Sequence, residues 1–305
     1  MIEKFFEAVS KTGNKYEFLN GVIKEILTPH YHRIQRWVTS QVSVKPTDTT
    51  ALAFAKRNDF LAQNPDRINA IANILADEQS KKTYLGMVKF RQTCQKKDFP
   101  FSCYVKKQYF IEEFNFDKNE VFIDCGAYTG DTIDEFLKHC PEYKQIVAFE
   151  PDAKLFNKLS KKHSNNSKIT LVNAGSYDKN GEIFFEIQPN RLTGRTIDAQ
   201  NADDEEMKQK NLTSIQVKTI DSLNLEKVSF VKMDIEGAEL NALKGAEKTL
   251  LKDKPKLAIC LYHNNEDMIQ IAEYIHSLIP DYKIYIRQHK LYPSAAETVL
   301  YAIMP

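Results

Sequence analysis

Three carboxylates and one imidazole stand where apolar runs end: Asp124 after Val121-Phe122-Ile123, Glu150 after Ile146-Val147-Ala148-Phe149, Asp234 after Val231-Lys232-Met233, and His263 after Leu261-Tyr262. In an open parallel sheet, ligands bind beyond the carboxyl ends of the strands, so strand-end side chains are the ones placed to do chemistry. Residues 124 to 130 spell D-x-G-x-x-x-G, and Gly126 and Gly130 permit a tight turn and close approach of a ligand. An ordinary strand-to-helix turn would use the same glycines.

A dinucleotide fingerprint needs G-x-G-x-x-G, with bare amides facing a pyrophosphate at a helix N-terminus. Here the turn carries Asp124, Asp131 and Asp134 instead. These acids would repel two phosphates and suit a ligand with an ammonium, a sulfonium and ribose hydroxyls. That describes S-adenosylmethionine better than NAD. Glu150, before Pro151, is placed to accept both ribose hydroxyls in bidentate fashion. Asn173 and Ala174 end the next strand, where an amide can read the adenine edge beside a small residue; a plain turn explains them too.

Methyl transfer from a sulfonium is an in-line displacement, so the protein must align an acceptor and remove its proton. His263, as a neutral imidazole, is the first candidate base, with Asp234 near the methyl and the acceptor. Glu236 either orients an acceptor hydroxyl or caps the following helix. Arg287 and His289 are further candidates for holding a polar acceptor group. Asp234, Glu236, His263 and Asp267 have the atom types for a divalent metal, but no compact ligand spacing demands one, and no metal is expected.

These residues need a particular scaffold. From about residue 118, strands alternate with helices: Val121 to Asp124, Ile146 to Glu150, Ile169 to Asn173, Val228 to Asp234 and Leu257 to Tyr262 read as parallel strands. Tyr282 to Arg287 and Thr298 to Ile303 follow without a helix between them, which implies an antiparallel closing hairpin. The expected fold is an α/β, Rossmann-like, seven-stranded class I methyltransferase sheet over residues 118–305. Residues 178 to 218 insert a hairpin, Gly181 to Ile187 with Ser214 to Lys218, around a long polar stretch holding Arg191, Arg195 and the acidic run from Asp203 to Glu206. Residues 1–117 show no such alternation and form a mainly helical region, with helices over Met1 to Lys11, Ala51 to Ala62 and Asp66 to about Thr93. Trp37, His30 and His32 either line an acceptor groove or pack as an anchor.

The 305 residues are 42% hydrophobic and 27% charged, with a formal net charge of +1, so no global field recruits nucleic acid or an anionic membrane. No run approaches a membrane span and no signal-peptide core follows Met1, so a cytoplasmic location is expected. Five separated cysteines suggest neither a disulfide framework nor a zinc site. An oligomer is compatible with the sequence, and no stretch sets its state.

With the residues 121 to 132, Ala148-Phe149-Glu150-Pro151-Asp152, and Val231 to Glu239 through Leu243-Lys244-Gly245-Ala246 in view, the chain resembles the FkbM-type methyltransferases from about residue 108 onward. K-x-D-I-E-G-A-E followed by L-x-G-A is the specific part. The resemblance implies S-adenosylmethionine-dependent O-methylation, often of sugar hydroxyls in surface polysaccharides or natural products. It assigns Asp124, Gly126, Gly130 and Glu150 to the donor and places Asp234 by the methyl; read from the residues themselves, Ala127, Tyr128, Thr129, Asp131, Pro151, Asn173, Ala174 and Asp234 complete the expected donor set. Two rival readings are a non-catalytic nucleoside-binding or scaffold protein on the same fold, and an NAD-linked oxidoreductase, which the acidic turn disfavours.

Overall fold

The computed structural model describes residues 59–187, 194–197 and 212–305, all within one unit, Asp48–Pro305. Trp37, His30, His32, Arg191, the acidic run at 203–206 and the helix expected from Met1 lie outside the described residues. Among the described residues three helices come first: α1 (Asp59–Gln63), α2 (Pro65–Ile74) and α3 (Glu78–Thr93). The chain continues through β1 (Val121–Cys125), α4 (Asp131–His139), β2 (Gln145–Phe149), α5 (Ala153–His163) and β3 (Ile169–Val172). Four strands follow, β4 (Gly175–Ser176), β5 (Gly181–Ile187), β6 (Gly194–Ile197) and β7 (Leu212–Lys218). The last part is β8 (Phe230–Met233), α6 (Glu239–Lys244), α7 (Glu247–Asp253), β9 (Lys256–Cys260), α8 (Asp267–Leu278), β10 (Lys283–Gln288) and β11 (Thr298–Ile303).

Seven strands form one sheet in the order β10-β11-β9-β8-β1-β2-β3. It is parallel except at β11, which is antiparallel to both β9 and β10. This is the expected class I methyltransferase sheet. Alternate side chains supply two cores, as the two-residue period of a strand requires. Ile123, Val147, Val231 and Ile259 pack with α2, α3 and α8, while Phe122, Ala148, Phe230 and Ala258 pack with α4 and with Phe110 and Phe114.

The single helix expected over Asp66 to Thr93 is two helices. Leu75 bridges Ile284 on the edge strand β10, and the Ala76 amide donates to the Ile284 carbonyl at 2.8 Å. Asp77 then caps α3, accepting from the Ser80 amide at 2.7 Å. The break therefore covers a sheet edge that would otherwise expose unpaired amides and carbonyls. Residues 104–105 cover the other end of β10, where the Val105 amide donates to the Gln288 carbonyl.

The buried apolar residues Leu243, Ala246 and Leu250 lie along two short helices, α6 and α7, with Ala246 as the N-cap of the second. Gly245 separates them, and a Cβ there would stand 2.0 Å from the Tyr177 carbonyl oxygen. That close approach ties the α6–α7 junction to the start of a second sheet, β4-β7-β5-β6, to which the expected hairpin belongs. Among the described residues no helix is long and apolar enough to cross a membrane.

Candidate active site

A cavity of about 760 Å³ opens where β1, β2 and β8 end, walled on its far side by Ile183, Ile215 and Val217 of the small sheet. Its volume suits a nucleoside-sized ligand. The turn after β1 forms its floor. Gly126 and Ala127 both donate their amides to the Phe149 carbonyl, at 3.1 and 2.9 Å. Gly126 has φ +80, and a Cβ there would stand 2.0 Å from the Asp234 carbonyl oxygen, so only glycine lets the β1 turn and the β8 turn lie together.

Glu150 is buried beside this turn, its Oε2 accepting from the Tyr128 amide at 2.9 Å and its Oε1 from the Asp152 amide at 2.8 Å. Burial pushes its pKa up to about 7 against those two hydrogen bonds. Each oxygen keeps a further lone pair for a ligand hydroxyl.

Asp124 is fully buried and is not among the cavity-lining side chains. Lys232, its register partner on β8, places Nζ 3.0 Å from Asp124 Oδ1 and donates to the carbonyls of Cys125 and Gly126 at 3.2 and 2.8 Å. Burial works against the ammonium charge, but Asp124 and Asp234 outweigh it and raise the lysine pKa. The direct donor contact expected of Asp124 is thus replaced by a positioning one: the pair fixes the turn from beneath.

At the other end, Asp234 accepts from two phenols at 2.7 Å, Tyr109 to Oδ2 and Tyr262 to Oδ1. Burial would raise its pKa, yet Lys232, His263 and the two hydroxyls hold it below the ordinary value. Glu236, in the left-handed region with φ +59, and Glu297 also line the cavity. Burial pushes Glu236 up to about 7, with His263 opposing. Glu297 is hydrogen-bonded by the Gln108 side chain.

His263 does not line the cavity. Its ring, 8% exposed, lies behind Asp234 and Glu236, with Nε2 3.4 Å from Asp234 Oδ1 and 3.5 Å from Glu236 Oε2, and Nδ1 2.9 Å from Glu239 Oε1. Burial opposes a charge, but these three carboxylates, Glu239 foremost, push its pKa up to about 10. The neutral imidazole base expected from the sequence is therefore a charged one, because Glu239 and its neighbours surround it.

Arg287 and His289 are likewise not brought to the cavity. Arg287 pairs with Asp77 at 2.7 Å and Glu113 at 3.2 Å and donates to Ser80. His289 is buried between the Val105 carbonyl and the Tyr301 hydroxyl, and burial lowers its pKa to about 4. Asn173 donates to the Glu150 carbonyl at 2.8 Å and, with Ala174, stands just outside the lining, which Gly175 and Ser176 continue. Tyr128, Asp131 and Pro151 do line it, while Ala127 and Thr129 contribute through the turn.

Sequence reasoning passed over Lys232, Tyr109, Tyr262 and Glu297. Lys232 had a signal, a lone charge inside an apolar strand, which demands a buried partner.

The residues present fit S-adenosylmethionine: a bidentate acceptor for ribose at Glu150, apolar walls, and carboxylates at the opposite end. The model of the methyltransferase FkbM domain matches residues 124–289. Among solved structures, a methyltransferase FkbM from Methylobacillus flagellatus KT is 26% identical with a TM-score of 0.66, over 81% of this chain and 60% of that one. The chain thus spans less than two thirds of that relative. An rRNA methylase from Streptococcus thermophilus is 16% identical with a TM-score of 0.39, over 62% and 89% of the two chains. An Aeropyrum pernix fibrillarin with natively bound S-adenosyl-L-methionine is 11% identical with a TM-score of 0.36, over 61% and 67%. No curated protein matches. The matched segment contains Glu150, Asp234 and Glu236, and by it the chain belongs to the family of FkbM methyltransferase domains, for which S-adenosylmethionine is the cofactor.

Proposed function

We propose that the protein transfers a methyl group from S-adenosylmethionine to a hydroxyl of a sugar, a glycan or a related small metabolite. When bound, the cofactor supplies an electrophilic methyl group on a sulfonium. The observation that carries the reading is the polarity of the cavity: Glu150 at one end, and Asp234, Glu236 and Glu297 at the other. Carboxylates only accept hydrogen bonds in their ionised form, so this second group favours an acceptor rich in donors, as a sugar is. Asp234, held rigid by Tyr109 and Tyr262, orients the acceptor hydroxyl. Glu236 stands beside it to receive the proton, and His263 sets the charge of both from behind. The resemblance to FkbM-type enzymes favours sugar hydroxyls over other acceptors.

The test is calorimetric titration with S-adenosylhomocysteine, with NAD in parallel, followed by transfer of labelled methyl to a panel of free and polymeric sugars. One-site binding of the homocysteine compound alone, with label on a sugar oxygen, supports the proposal. Absence of that binding in folded protein would sink it; binding with label appearing on nitrogen would overturn the choice of hydroxyl.

A further inference from the structure

Behind the cavity wall, the structure brings together three side chains that the sequence separates. One ligand atom each from Asp234, Glu239 and His263 lies within 4.8 Å of the other two. Glu239 is wholly buried, and its Oε2 has no hydrogen-bond partner. The His263 ring is 8% exposed, and neither nitrogen meets a partner in hydrogen-bonding alignment, although Glu239 Oε1 is 2.9 Å from Nδ1. A buried carboxylate oxygen left unpaired is costly, so a second, cationic partner is the natural completion of the group.

The neighbouring cations are committed elsewhere. Lys232 serves Asp124 and two carbonyls, and Arg91 donates to the carbonyls of Leu261 and Asn264. Glu236 adds a third carboxylate, 3.5 Å from the ring. Access runs through the cavity, which Asp234 and Glu236 line with side chains 24% and 30% exposed.

We propose that Asp234, Glu239 and His263 form a binding site for a divalent transition-metal ion of the Mn²⁺ or Zn²⁺ type. Two carboxylate oxygens and one imidazole nitrogen match the donor preferences of such ions. The ion takes the place of the ring proton, and the imidazole then binds as a neutral ligand. Nδ1 faces Glu239 Oε1 at 2.9 Å and Nε2 faces Asp234 Oδ1 at 3.4 Å, so the ion uses one ring nitrogen; with all three ligand atoms within 4.8 Å of one another, a small inward movement of the side chains brings them to one ion at roughly 2.1 Å. With Asp234 shared between the ion and the cavity, the ion would lie within reach of an acceptor oxygen.

The probe is Mn²⁺ alone, added to the metal-stripped full chain and followed by electron paramagnetic resonance, with Zn²⁺ as competitor. One saturable site per chain, displaced by Zn²⁺, is expected, and Glu239→Gln and His263→Gln should each weaken it at least ~30-fold. This titration requires no donor, so it stands even if S-adenosylhomocysteine does not bind. Because Glu239 also holds the Ile235 amide, cooperative thermal unfolding checks each variant, and a second measurement uses the unaltered chain. With S-adenosylhomocysteine bound, Mn²⁺ should broaden the proton resonances of the homocysteine end more than those of the adenine. The proposal is overturned by no saturable binding up to about 1 mM Mn²⁺, by a site that survives both substitutions unchanged, or by broadening strongest at the adenine.

Discussion

Lowering the pH from about 8 to about 6 should weaken S-adenosylhomocysteine binding roughly tenfold, because the competent form of Glu150 is its carboxylate. Both oxygens already accept a backbone amide, from Tyr128 and Asp152, so a ribose diol must use the remaining lone pairs. Protonation removes one of those acceptors. With the pKa pushed up to about 7 by burial, about nine-tenths of the chains are ionised at the higher pH and about one-tenth at the lower, and apparent affinity follows that fraction. Glu150→Gln is neutral throughout; it should bind roughly 10- to 150-fold more weakly at the higher pH, the loss of a charge-assisted contact of ~1.5–3 kcal/mol, and its pH dependence should be flatter. Glu236 titrates in the same range, and the difference between wild type and Glu150→Gln removes its share. Calorimetry at four or so pH values decides the matter. A wild-type affinity that does not change with pH, or a variant with the wild-type slope, would refute the reasoning. On folding the same shift acts in the opposite sense: the native pKa lies above the unfolded carboxyl value of about 4.3, so the native state binds the proton more tightly. Its contribution to stability is full below about 4 and is lost as the pH rises to about 7.

Three further outcomes follow from the packing around the cavity. Asp124→Ala leaves the Lys232 charge in the core without the carboxylate 3.0 Å from it, and urea unfolding should show a loss of ~3–5 kcal/mol; replacing both partners, Asp124→Leu with Lys232→Met, should recover at least about half of it. Gly126→Ala drives a methyl into the Asp234 carbonyl at a positive φ and should lower stability by ~1–3 kcal/mol while displacing the Asp234 turn; unchanged thermal unfolding and donor affinity would contradict the geometry. Arg287→Ala loses its bonds to Asp77, Ser80 and Glu113 and should cost roughly 1–3 kcal/mol, while S-adenosylhomocysteine affinity stays within about twofold; a large loss of affinity would return Arg287 to the site.

What was legible in the sequence is what the backbone dictates locally. Val121-Phe122-Ile123 followed by D-x-G reads as a strand and turn because apolar β-formers and glycine impose it within a few residues, and β1 ends one residue past the expected Asp124. The antiparallel β11 was equally legible, since no helix separates it from β10. The break at Leu75 to Asp77 was not, because its cause is the edge of β10, some two hundred residues away. No local pattern tells a chain to stop a helix for a strand not yet made.

The site residues hidden in the sequence are likewise those whose partners come from distant elements. Asp234 was visible as a carboxylate at a strand end; that its charge is set by Tyr109, Tyr262, Lys232 and His263 was not, since Tyr109 meets it across 125 residues. His263 shows the consequence most clearly. From type and position alone it is a neutral base, but the helix after β8 brings Glu239 to its Nδ1 and favours the protonated, cationic ring. Strand-end position therefore tells which side chains gather at the carboxyl edge, while their protonation states depend on partners from other elements. His263 follows β9 and Arg287 lies near the end of β10, yet one is consumed by Glu239 of α6 and the other by Asp77 and Ser80 at the start of α3. A strand-end residue remains available to a ligand only where no helix cap or packed carboxylate reaches it first, and on this sheet Glu150, Asp234 and Glu236 meet that condition at the cavity.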